Sequence, residues 1–150
     1  MTAPLTYALI AHVLVGVLAI GLTHLVFMHF LRKTPSWKYL RSLAGWATIG
    51  FLGSWASGAY YYVVYYGKAV KPVILKGAYP WAHQVIMEAK EHIFIMLPFM
   101  SLALWFLILV LEKQQDDKIK KAVRNLALTI LLFGAFIAGA GIIISGAARS

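Results

Sequence analysis

Four long apolar runs separated by short polar connectors organise this chain, about Leu5–Leu31, Tyr39–Tyr66, His83–Leu111 and Ala122–Ala147. Each exceeds the ~20 residues that an α-helix needs to cross a ~30 Å hydrocarbon layer. The pattern predicts an all-α protein, an integral membrane four-helix bundle in which residues 1–150 form a single transmembrane domain. The first run is about twice too long for the apolar region of a signal peptide. No small-residue cleavage site follows it before Arg32 and Lys33, so it is read as a retained span.

Within the runs the residue types differ. The second carries Ala47, Gly50, Gly53, Ser54, Ser57 and Gly58 at three- and four-residue steps. The fourth carries a row of Gly134, Ala138, Gly141 and Ser145 and another of Ala135, Gly139 and Gly146. Small residues let helix backbones approach in lipid, or leave a slot for a flat cofactor. Between Gly67 and Ala82, the residues Gly67, Pro72, Gly77 and Pro80 are expected to break regular structure, leaving an outer loop with Tyr79 and Trp81 at the interface. Pro98 is expected to kink the third helix.

Composition agrees with the pattern: 61% of residues are hydrophobic and the mean hydropathy is +0.77. No cysteine is present, so disulfides, thiolate metal centres and covalent haem attachment are excluded. The +9 net charge resembles a nucleic-acid footprint, but the basic residues cluster in the connectors, where they act as topology signals. Arg32, Lys33, Lys38 and Arg41 lie in the first connector and Lys113, Lys118, Lys120, Lys121 and Arg124 in the third. Only Lys68, Lys71 and Lys76 lie in the second and Arg149 in a tail, so both termini are expected on the outer side. The expected location is the bacterial inner membrane, with lipid as the partner and no nucleic acid.

Two histidines stand out against this background. Leu31 follows His12 by 19 residues and Leu111 follows His92 by 19, which puts both rings at one depth in the outer half of the membrane. Titratable rings are costly there and are kept for a ligand, a proton path or a strong hydrogen bond. Haem b requires axial nitrogens from facing helices, flat walls and cations for its propionates. His12 and His92 are the candidate iron ligands, with Gly58 and Gly141 at their level as candidate walls and Lys68, Lys71, Lys76, Lys90 or Arg149 as cations. The bland alternative for His12 is a core histidine bonded to a serine, threonine or carbonyl. Glu88, one turn before His92, is a candidate to orient that ring. The five-residue step of Gly53 and Gly58 recurs as Gly134 and Gly139 about 80 residues on, matching the 80-residue offset of the two histidines and suggesting a duplicated hairpin.

The remaining histidines are read differently. His83 is turned away from His92 and placed at the interface beside Trp81, with metal or quinone contact as the minor alternative. His24 and His29 lack a facing histidine at their depth, and His29 is assigned to the inner interface. Glu88 and Glu91 are either solvated partners of Lys90 at a helix start or acceptors for the protons of a quinol.

The run IAHVLVGVLAIGLTHLVF and the four-helix plan resemble small bacterial membrane proteins such as di-haem b-type cytochromes, CopD-like copper-resistance proteins and HemJ-like protoporphyrinogen oxidases. The resemblance implies a four-helix bundle using membrane histidines for haem or copper chemistry; no residue role is carried over from it. The function expected first is an electron-transfer protein, or a subunit of a larger membrane redox complex, binding one haem b near the outer face and linked to a quinone. Two others stand beside it: a copper protein using His12, His92 and His83, Met87 or Met96, and a cofactor-free assembly or accessory subunit. Catalytic residues are not assigned.

Overall fold

The computed structural model describes residues 2–32 and 36–150, which leaves Lys33 of the first basic connector outside the described residues. Helix α1 spans Ala3–Phe30, with Pro4 in the first turn, where a missing N–H costs nothing. Helix α2 spans Trp37–Tyr61 and runs on through a π-helical stretch, Tyr62–Val70, into a short helix α3, Lys71–Lys76. A π-helical turn, Ala82–Met87, opens helix α4, Glu88–Gln114, and helix α5 spans Asp117–Ala147. Among the described residues there is no strand.

The expected outer loop is therefore mostly helical, and only residues 77–80 leave helical structure. Pro72 falls in the first turn of α3, where its ring is tolerated. Gly77 ends α3 in extended geometry, and the Pro80 carbonyl accepts from the N–H groups of His83 and Gln84 at 3.1 Å each. Pro98 lies inside α4, which continues helically past it. The turn from α4 to α5 is built from two residues. Gln115 takes a left-handed conformation (φ 53°), its N–H donating to the Leu111 carbonyl at 2.9 Å. Asp116 then caps α5, its Oδ1 accepting from Lys118 N–H and Ile119 N–H at 2.6 and 3.3 Å.

The long helices form a ring in which α1 packs on α2, α2 on α4, α4 on α5 and α5 on α1. Small residues set the α1–α2 distance. A Cβ on Gly50 would stand 3.0 Å from the Ala19 Cβ, and one on Gly16 2.9 Å from the Ser54 Oγ. Gly134 of α5 admits Ile20 of α1 in the same way, at 2.8 Å. The core that results is apolar, with Phe51, Leu97, Leu104, Ile108 and Ile130 among its fully buried side chains. Inside it, the Thr48 and Ser101 hydroxyls bond at 3.1 Å between α2 and α4. A smaller cluster of Tyr66, Ile74, Ala82, Met87, Ile144 and Ala147 closes the end where α3 and the π turns meet the C-terminus of α5.

Helices Ala3–Phe30, Ala82–Gln114 and Asp117–Ala147 are long and apolar enough to cross a membrane. Helix α2 is long enough, but its small and aromatic residues leave it outside that group. The outward faces are apolar, including Leu18, Val63, Phe99 and Ile142, each more than half exposed. That surface suits lipid and not water.

A buried tyrosine–histidine pair at the candidate functional site

One group of polar side chains gathers where α2 gives way to its π-helical stretch and α4 begins. Tyr66 comes from the first π stretch and His83 from the second, and both are buried. The Tyr66 hydroxyl stands 3.1 Å from the His83 Nδ1. On the other side of the imidazole, Nε2 lies 4.0 Å from Oε1 of Glu88, whose side chain is 51% exposed. In the tautomer with the hydrogen on Nε2, the side that faces the carboxylate, the Tyr66 O–H donates to Nδ1. Hydroxyl, imidazole and carboxylate thus make a line leading from the interior to the surface. Tyr62 stacks on Tyr66, with ring centroids 5.2 Å apart and planes 20° apart, and its hydroxyl lies beside Glu91.

His83, which the sequence assigns to the interface beside Trp81, is enclosed by protein side chains. The aromatic Trp81 beside it is exposed, but the π turn rotates His83 inward against Tyr66. The available signal was Tyr61, Tyr62, Tyr65 and Tyr66 spaced along one run, facing across the connector a second run that carries His83, Glu88 and Glu91.

His12 and His92 are placed on different surfaces. The His12 ring lies between α1 and α2. Its Nδ1 donates to the Ser54 carbonyl at 2.9 Å and is 3.2 Å from the Ser54 Oγ, which in turn donates to the His12 carbonyl at 2.9 Å. Phe94 of α4 meets the ring edge-on at 5.2 Å. His92 precedes Phe94 by two positions, which is about 200° around the helix. It is exposed, and its Nδ1 donates to the Glu88 carbonyl one turn back at 2.7 Å. The expected carboxylate bond from Glu88 to His92 is replaced by this backbone bond, because the Glu88 side chain turns towards His83.

The expected walls separate likewise. Gly58 is filled by His12 itself, since a Cβ there would stand 2.5 Å from the His12 Nδ1, whereas a Cβ on Gly141 would meet nothing within 4 Å. Gly58 therefore lies in close contact with the His12 ring, whereas Gly141 borders open space. His24 is exposed, and His29 accepts from the Ser36 N–H at 2.9 Å through Nε2 while its ring meets Tyr39. Among the described residues, no three histidine or carboxylate side chains converge as a metal site.

Comparison with family models, with curated proteins and with solved structures finds no match for this chain. The functional reading therefore rests on the residues themselves.

Proposed function

We propose that this chain is an integral protein of the bacterial inner membrane, with four helices crossing the bilayer and both termini outside, and that its outer end accepts protons from a membrane quinol. It would serve as the quinol-facing part of an electron-transfer complex. Oxidation of a quinol releases two electrons and two protons; the electrons go to one-electron carriers of haem type in the complex, and the protons need an exit. The observation that supports this reading is the line from Tyr66 through His83 to Glu88. A substrate proton arriving at the Tyr66 oxygen displaces the tyrosine's own proton to Nδ1 of His83. Nε2 would pass its proton to Glu88 across a 4.0 Å gap, through a bridging water or by a small swing of the half-exposed carboxylate. A buried histidine held between a donor and an acceptor suits such transfer, because either nitrogen can carry the proton.

A haem b reading is favoured by one further observation. His12 and His92 each spend Nδ1–H on a backbone carbonyl, leaving Nε2 as the lone-pair nitrogen, the arrangement that orients ligating imidazoles. Either imidazole would then be free to hold a haem iron through Nε2, and the haem would supply one-electron transfer.

The quinol reading is tested by titrating purified protein, without oxygen, with a short-chain benzoquinol and following tryptophan fluorescence; Trp81 stands next to the site. Saturable binding is the expected result, and its absence contradicts the proposal. An absorption spectrum of the same preparation tests the haem reading, since bound haem gives an intense Soret band.

A further inference from the structure

A groove of about 400 Å³ runs between α1 and α2 on the outside of the bundle. Ala19, Gly50 and Gly53 form its floor, and Leu18, Trp46 and Ile49, each more than half exposed, form its walls. It has the size of a small-molecule site, and its lining is apolar. The exposed rows that border it continue to the end of the hairpin where α1 passes to α2. From Leu18, steps of three and four residues lead through Leu22, Leu25 and His29 to Arg32; from Ile49 they lead through Trp46 and Ser42 to Lys38. At ~1.5 Å per residue, Arg32 lies ~15 Å beyond Leu22 and Lys38 ~12 Å beyond Trp46. The His29 and Tyr39 rings, 5.0 Å apart, show that the two helices stay together down to this end.

Arg32 and Lys38 are both exposed, and no carboxylate answers them. The first acidic residue of the chain is Glu88, so the α1–α2 hairpin carries none. Arg41 is paired across to Glu112 of α4, whereas among the described residues Arg32 and Lys38 join no ion pair. An apolar groove leading to two unneutralised cations matches a molecule with an apolar chain and an anionic head. We propose that the groove holds an acyl chain of an anionic phospholipid whose phosphate sits at Arg32 and Lys38. This rests on the membrane reading above and is independent of the quinol reading. Clustered Lys and Arg attract anionic lipids at any membrane surface; the groove adds a fixed seat for the chain. A second copy of the protein is a poorer occupant, since it would bring its own Arg32 and Lys38 to the same end, cation against cation.

The experiment uses the purified protein in detergent and phospholipids with brominated acyl chains, which quench a tryptophan they touch. Brominated phosphatidylglycerol is expected to quench tryptophan fluorescence saturably, at a mole fraction on the order of tenfold below that needed for brominated phosphatidylcholine, as two cations near an anionic head imply. The excess should disappear in Trp46→Phe and in the Arg32→Gln/Lys38→Gln double variant, and should persist in Trp55→Phe, which lies outside the groove. Equal quenching of wild type by the two lipids overturns the proposal while leaving the membrane reading intact. An excess that survives in Trp46→Phe or in the folded double variant also overturns it. Disulfide dimers of Leu18→Cys without a quenching excess in wild type would give the groove to a second copy and overturn it likewise.

Discussion

At the scale of single residues, Gly58 and Gly141 carry opposite expectations. A side chain at Gly58 must displace the His12 ring, whereas one at Gly141 enters open space. Gly58→Leu should lower stability in detergent by about 1–3 kcal/mol, the usual cost of overpacking, while Gly141→Leu stays near wild type; thermal unfolding distinguishes them. Equal midpoints would show that the α1–α2 contact at Gly58 is looser than described. Tyr66→Phe removes the hydroxyl on Nδ1 of His83 and leaves a buried nitrogen unpaired, at about 1–3 kcal/mol. The same variant should weaken quinol binding, whereas Tyr60→Phe, at an exposed position, should change neither property. The residue types of this site were visible in the sequence, but their partners were not. Equal depth of His12 and His92 says nothing about azimuth, and lipid is as apolar as a protein core. Hydrophobic periodicity therefore does not point inward. Only packing reveals that Phe94 faces His12 and that His92 does not.

At the scale of elements, the four helical runs were legible because length and apolarity suffice to define them. The connector between the second and third was not. Gly67 and Pro72 read as stop signals in isolation, but a proline in the first turn of a helix needs no N–H partner, and the wider π turn carries the chain past Gly67. The same π geometry rotates His83 out of the register that α-helical counting assigns to it. The α4–α5 turn provides an element-scale prediction. Asp116 satisfies two N–H groups at the start of α5, so Asp116→Ala should cost about 0.5–2 kcal/mol, while Asp117→Ala, which caps nothing in the structure, should cost less. Chemical or thermal unfolding of the two variants makes the comparison, and a larger loss for Asp117→Ala would contradict the capping geometry.

At the scale of the whole molecule, the basic connectors and the polar end of the bundle give the chain a direction. Arg41 and Glu112, 3.4 Å apart, tie α2 to α4 at one end of the bundle, and the tyrosine–histidine site occupies the other. With no native cysteine, single-cysteine variants report topology without background labelling. In intact cells, an impermeant maleimide should reach Gln84→Cys from outside and should reach Lys118→Cys only after the membrane is opened; the reverse pattern would invert the orientation. The account turns on where a quinol binds, and the most direct measurement is photolabelling of the purified protein with an azido-benzoquinone in its reduced form, followed by peptide mapping. The account predicts that cross-links fall in Tyr62–Val70 and Ala82–Glu91 and are lost when unlabelled quinol competes. Competed cross-links confined instead to the apolar groove of Val15, Leu18, Trp46 and Gly53 would contradict it.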